Sequence, residues 1–376
     1  MTNLLKPATW LAGYIADLPT PFDDNDRIDL TAFAQLCERQ IEAGVSAIVV
    51  GETAGEASTL TPAEHDTIVR TAIEIARGRA RIIAGAGSNS TAQAIELTRR
   101  AEMAGADAVL SVVPYYNKPM QAGIYAHFQA IASSTTLPII LHDIPSRTLR
   151  ELSDDTLARL AQSKQFIGLR DGTGDITRAM RLRSQLPPGF RLLSGDDATA
   201  LAYIANGGDG CISMASNVAP ELCQVIFSSC REGRLQTARY LQNRLTPLTA
   251  LLSKESPAAL KYALCLLGFM HPSTRLPIVE LADAAKAEVA SAIAEIGDED
   301  LAAPGWFGPR IWKDSTATSY RPDRSYAGFY GSMAALLTCP RPMRDRESSS
   351  RAISVRDPAY SDLRGGISCP AHPSMG

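Results

Sequence analysis

One local pattern recurs eight times between residues 14 and 233: an apolar strand, a polar loop, then an amphipathic helix. The strand segments read YIADLPTPF, AIVVG, RIIAGAG, AVLSVVP, PIILHDIP, FIGLRDGT, FRLLSGDD and GCISMAS. Between them run DLTAFAQLCERQIEAG, STAQAIELTRRAEMAG, APELCQVIFSSCREG and similar stretches, with apolar residues at helical spacing and Gly44, Gly105 and Gly233 as stops. Thr61 with Pro62 and Glu64, and Ser90 with Gln93, have the spacing of capping boxes. Strands with no polar face must be covered on both sides, which predicts a parallel sheet, and eight βα units over about 220 residues close into a (β/α)8 TIM barrel. The barrel is assigned to residues 1–233. In this α/β fold the polar C-terminal ends of the strands form the active face.

Three further helical stretches, RLQTARYLQNRLTPLTALL, SPAALKYALCLLG and LADAAKAEVASAIAEIG, predict a C-terminal helical appendage over residues 234–297. From residue 298 to 376 the chain turns rich in Pro, Ser, Gly and Arg and loses any sustained period, so it is expected to be a disordered or loosely attached tail.

A formal charge of −3 provides no electrostatic case for nucleic acid or an anionic membrane, which leaves a small molecule as the expected partner. The first thirty residues lack a basic, apolar and small-residue series, and no apolar run approaches membrane-spanning length, so a cytoplasmic location is expected. No cofactor or metal is called for. The cysteines are scattered, AGAGSNS lacks the third glycine of a dinucleotide loop, and Asp196 and Asp197 stand without further ligands at metal spacing.

FIGLRDGTGD, residues 166–175, ends an apolar strand in the adjacent charges Arg170 and Asp171. Two readings are open. The pair is a surface ion pair worth well under about 1 kcal/mol, or Arg170 serves a site at the barrel mouth.

The segments after the strands, GETAGEASTL, VPYYNKP, LHDIPSRT, LRDGTGD, LSGDDATAL and GGDGCISMASNVAP, together resemble the dihydrodipicolinate synthase and N-acetylneuraminate lyase family. The resemblance runs from about residue 14 to 296 and is nearest to the synthase branch. It implies a barrel lyase that condenses or cleaves a small 2-oxo acid such as pyruvate with an aldehyde, holding the oxo acid on a lysine. It also implies a homodimer or homotetramer. Carried over residue by residue, Thr53 matches a hydroxyl of the family's proton relay, and Tyr116 matches the tyrosine that a neighbouring subunit supplies. His142 stands at the family's other relay tyrosine and Ala54 at its second threonine, beside the pyruvate carboxylate. Arg147 keeps the position that receives the carboxylate of the aldehyde substrate. Gly195 and Ile212 keep wall positions. Arg170 falls at the Schiff-base lysine.

That last difference has a chemical cost. At pH 7 a lysine of ordinary pKa is neutral on the order of one part in 10³ and an arginine one in 10⁶ or less, a gap of about 4 kcal/mol. Arg170 is therefore no nucleophile, but its planar guanidinium suits a carboxylate or enolate held bidentately. Of the lysines weighed as replacements, Lys164 precedes the sixth strand and so belongs to the wrong end of the barrel, while Lys118 lies in a loop expected at a subunit contact. His142 is expected to move protons, oriented by the following Asp143. On this reading Arg170→Lys would supply the missing amine. Three functions stay open: a lyase of the synthase type, a non-catalytic paralogue binding a carboxylate, and a hydratase or decarboxylase without a covalent intermediate.

Overall fold

A computed structural model describes residues 8–297, so the stretch read as a tail lies outside the described residues. Eight strands, β1 (Gly13–Asp17), β2 (Ala47–Val50), β3 (Arg81–Gly85), β4 (Ala108–Val112), β5 (Ile139–Asp143), β6 (Phe166–Asp171), β7 (Arg191–Ser194) and β8 (Gly210–Ser213), pair in parallel in chain order. β8 pairs back onto β1, with Ile212 beside Ile15, which closes the barrel.

The covering helices are α1 (Leu30–Glu42), α2 (Pro62–Ala76), α3 (Thr91–Ala104), α4 (Gln121–Ala132), α5 (Pro145–Thr148), α6 (Asp154–Leu160), α7 (Arg178–Arg183), α8 (Ala200–Ala205) and α9 (Pro220–Arg231). α2 begins with the capping box read from Thr61 and Glu64. Ser90 caps α3 by accepting the Gln93 N–H, but the Gln93 side chain turns away to Ser88, so this end is a single cap. The appended helices are α10 (Leu235–Glu255), α11 (Ala258–Leu266) and α12 (Asp283–Gly297). No helix among the described residues is long and apolar enough to cross a membrane.

Strand period sorts the side chains. Ile15, Val49, Ile83, Leu110, Ile140, Leu193 and Ile212 fill the barrel interior, whereas Ala16, Ile48, Leu141 and Leu169 face the helices. Each buried Leu or Ile contributes about 1.5–3 kcal/mol by leaving water. Because successive strand residues alternate sides, Asp17, His142 and Arg170 take the inward side one step above this apolar plug. Asp143 and Asp171 take the outward side.

The appendage reaches back to the mouth. Lys261 of α11 is fully buried, donates to the Ser273 carbonyl and ion-pairs with Glu56. The Arg275 N–H donates to the second Glu56 oxygen at 3.0 Å. Glu56 closes the segment Gly51 to Glu56 after β2, so α11 and the irregular segment that follows it pin the loop that carries Glu52, Thr53 and Ala54.

Candidate active site

Arg170 is at 0% exposure the bulkiest fully buried side chain among the described residues. It reaches neither solvent nor Asp171, so the surface-pair reading fails. Its Nη1 donates to Asp17 Oδ2 and to Glu52 Oε2, both at 2.9 Å. The Nε–H is buried without a partner, and among the described residues Nη2 makes no hydrogen bond. The side-on edge of the guanidinium, Nε with Nη2, thus stays free for a planar anion. Gly195 makes room for this side chain: a Cβ there would lie 3.1 Å from Arg170 Cγ.

His142 is likewise fully buried and sits beside Arg170 in the β5–β6 register. Its Nδ1 lies 2.9 Å from Glu52 Oε1, and its Nε2 is buried without a partner. The orienting carboxylate is therefore Glu52, not Asp143. Asp143 points to the other side of the sheet and accepts from Arg178 Nη1 at 2.7 Å. Arg178 also binds Asp154 and Asp171, while Thr173 and Tyr203 donate to Asp171. Strand alternation, already legible in the sequence, separates adjacent residues His142 and Asp143 onto opposite faces.

Electrostatics follow from this packing. Burial opposes the Glu52 carboxylate, yet His142, Arg170 and Thr53 hold it well below the usual carboxylate range. Burial raises Asp17 to about 6; the pull of Arg170 is partly cancelled by the Glu52 charge. Burial also lowers His142 below its ordinary 6.5, with Glu52 opposing and the charges of Arg170 and Arg147 assisting. Arg170 itself stays charged, because Asp17 and Glu52 outweigh the cost of its burial.

The other expected residues distribute around this cluster. Thr53 follows Glu52 directly and is half-buried, and the Ala54 N–H points at Asp17 Oδ2 from 3.5 Å. Gly195 lies just past β7, and Ile212 belongs to the apolar plug. Arg147 is exposed on α5, within electrostatic reach of His142. Tyr116 stands apart: it is 88% exposed, with φ at +68°, a left-handed backbone that throws the ring outward. Lys118 is exposed in the same loop with φ at +48°. Lys164 precedes β6 and lies at the opposite end of the barrel. Asp197 and Asp196 accept from backbone and hydroxyl groups of the turns after β7 and β8.

Glu52, Asp17 and Lys261 were missed from the sequence. Asp17 carried a signal, an acid at the C-terminal end of an apolar strand. Glu52 carried a weaker one, in a loop that reads as glycine-rich. Lys261 carried none: burial lowers its ammonium to about 8, but Glu56 and the Phe22 ring, 4.0 Å away, engage it structurally.

A closed parallel barrel with an ionisable cluster at the C-terminal ends of β1, β5 and β6 defines a TIM-barrel enzyme with its site at the mouth. The chain belongs to the dihydrodipicolinate synthetase family, whose profile matches residues 10–296. A 4-hydroxy-tetrahydrodipicolinate synthase of Phenylobacterium zucineum is 46% identical over 286 residues, covering 76% of this chain and 97% of the relative. One from Bartonella bacilliformis is 43% identical over 289 residues, 76% of this chain and 98% of its own. Among solved structures, the chloride-inhibited dihydrodipicolinate synthase of Acinetobacter baumannii in complex with pyruvate superposes with a TM-score of 0.74 at 39% identity, covering 76% of this chain and 99% of that one.

Proposed function

We propose that this chain is a lyase of the 4-hydroxy-tetrahydrodipicolinate synthase type, joining or cleaving a small 2-oxo acid such as pyruvate and an aldehyde at the barrel mouth without a lysine imine. The family and the relatives' names support the reaction class, and they lend nothing to a non-catalytic paralogue or a hydratase. The observation that carries the mechanistic half is Arg170, fully buried at the end of β6 and held by two carboxylates. The resemblance sets it at the Schiff-base position, and a guanidinium there cannot become the neutral amine an imine requires.

In the proposed reaction the Nε/Nη2 edge of Arg170 binds the 2-oxo acid. His142 takes a proton from its C3, and the electron pair moves to form an enolate on the C2 oxygen. The enolate carbon attacks the aldehyde carbon, and the proton returns to the new alkoxide through the hydroxyls of Thr53 and of a neighbouring subunit's Tyr116. Charge stabilisation replaces the covalent electron sink. Arg147 receives the carboxylate of the aldehyde substrate; Ala54, Gly195 and Ile212 shape the walls. Tyr116, turned out from its own barrel, is matched to a homodimer or homotetramer.

Incubation with pyruvate and a panel of aldehydes, followed by mass spectrometry, tests this reading. A product with the combined carbon skeleton, absent from His142→Phe, is expected. Unchanged substrates across the panel would defeat the reading.

A further inference from the structure

A buried imidazole nitrogen without a partner costs about 1–3 kcal/mol, so an orphan of this kind in a packed interior calls for a reason. His142 Nε2 is such an orphan. It stands on the inward side of β5, next to Arg170, whose Nε is orphaned as well. Two unpartnered polar atoms of opposite character, a hydrogen-bond acceptor and a donor, thus belong to side chains that are register partners on the inward side of adjacent strands. A ligand carrying an acidic C–H beside a carbonyl oxygen satisfies both.

What makes Nε2 an acceptor is the other ring nitrogen. Nδ1 faces Glu52 Oε1 at 2.9 Å, and an ionised carboxylate only accepts. Nδ1 must therefore carry the proton. Oε2 of the same carboxylate accepts from Arg170 Nη1 at 2.9 Å and from the Thr53 N–H at 2.5 Å, which fixes the plane of the group.

From this geometry we infer that Glu52 is the positioning residue of the site: it locks His142 in the Nδ1–H tautomer, aims the Nε2 lone pair at the substrate carbon, and ties that base to the oxyanion-holding Arg170. The inference rests on the proposed lyase reading for its substrate and adds the residue that organises it. In the step concerned the C3–H bond of a 2-oxo acid breaks, the proton goes to Nε2, and the electron pair becomes the C2–C3 double bond of the enolate. Negative charge collects on the C2 oxygen beside the free edge of Arg170. The other charged groups bearing on His142 are Arg170 and Arg147, and Asp17 acts through Arg170.

Glu52→Gln isolates the effect. Its amide oxygen stays with the two donors, Arg170 Nη1 and the Thr53 N–H, so its NH₂ must face Nδ1. The imidazole then flips its proton to Nε2 and loses the base. In ¹⁵N NMR, with His142 assigned by its loss in His142→Asn, the wild-type chain is expected to show Nε2 bare and Nδ1 protonated at pH 7; Glu52→Gln is expected to show the reverse. In D2O the wild-type chain should exchange the methyl hydrogens of pyruvate, followed by ¹H NMR. The variant should do so about 10²-fold more slowly at saturating pyruvate, with pyruvate bound no more weakly, because the negative charge lost beside Arg170 favours the anion. Glu52→Asp, which keeps the charge, should recover part of the rate. A wild-type His142 protonated on Nε2 would overturn the inference without any variant, and so would undiminished exchange in Glu52→Gln. The expected tautomer with no exchange in the wild-type chain would instead defeat the lyase reading, leaving Glu52 as the residue that sets the tautomer.

Discussion

Arg170→Lys tests how far the site has been rebuilt around a permanent cation. The substitution supplies an amine at the proposed imine position, but the amine inherits Asp17 and Glu52 as neighbours. One ionised carboxylate about 4 Å away at an effective dielectric of about 20 favours the ammonium by about 4 kcal/mol, equivalent to about 3 pKa units. Burial acts the other way, by about 3–5 units for a fully buried lysine. Glu52 is ionised at pH 7, and Asp17, raised to about 6, is mostly ionised there too. The two carboxylates together, about 6 units, outweigh burial, so the lysine lies above its ordinary pKa and fewer than about one part in 10⁴ is neutral. Arg170→Lys alone should therefore be trapped slowly by pyruvate and borohydride. Adding Glu52→Gln removes one carboxylate charge and should raise the initial trapping rate at pH 7 about 10³-fold, read as adduct by intact-mass spectrometry, with circular dichroism confirming the fold of both variants. Equal rates for the single and double variants would refute the electrostatic argument.

Three further outcomes follow from the same residues. Because Asp17 titrates near 6 and its protonation relieves the negative charge that a bound carboxylate adds, the pyruvate Kd measured by calorimetry should rise as pH goes from 5.5 to 7.5, and Asp17→Asn should flatten that dependence. Arg178→Met leaves Asp143 and Asp171 buried without their cation, so the chain should lose about 3–5 kcal/mol in denaturant unfolding while Arg170 and His142 keep their partners. Truncation after Gly297, where the sequence loses its helical period, should leave a cooperative melt and pyruvate binding nearly unchanged; loss of cooperativity would show that residues 298–376 are packed structure.

The barrel was legible because strand and helix periods are local properties of the chain: eight apolar runs separated by capped helices allow few other closures. His142 and Arg170 were legible as strand-end polar residues. Their partners were not. Asp17 and Glu52 meet Arg170 from 153 and 118 residues away in sequence, and only closure of β8 onto β1 brings the first strand's end to that of the sixth. The expectation that Asp143 orients His142 failed because adjacency in a strand means opposite faces, a consequence of pleating that sequence proximity hides. Ser90 shows the same limit at smaller scale, since Ser88 competes for the Gln93 side chain.

Cyanoborohydride, which near neutral pH reduces an imine and spares the aldehyde and the oxo acid, added during turnover of pyruvate and a productive aldehyde tests the central claim most directly. If Arg170 holds the enolate by charge and hydrogen bonding while His142 moves the proton, product accumulates and the chain keeps its unmodified mass. A reduced pyruvate adduct on Lys118 or any other lysine would contradict the account, because the carbon–carbon step would then run through an amine outside the cluster of Asp17, Glu52, His142 and Arg170.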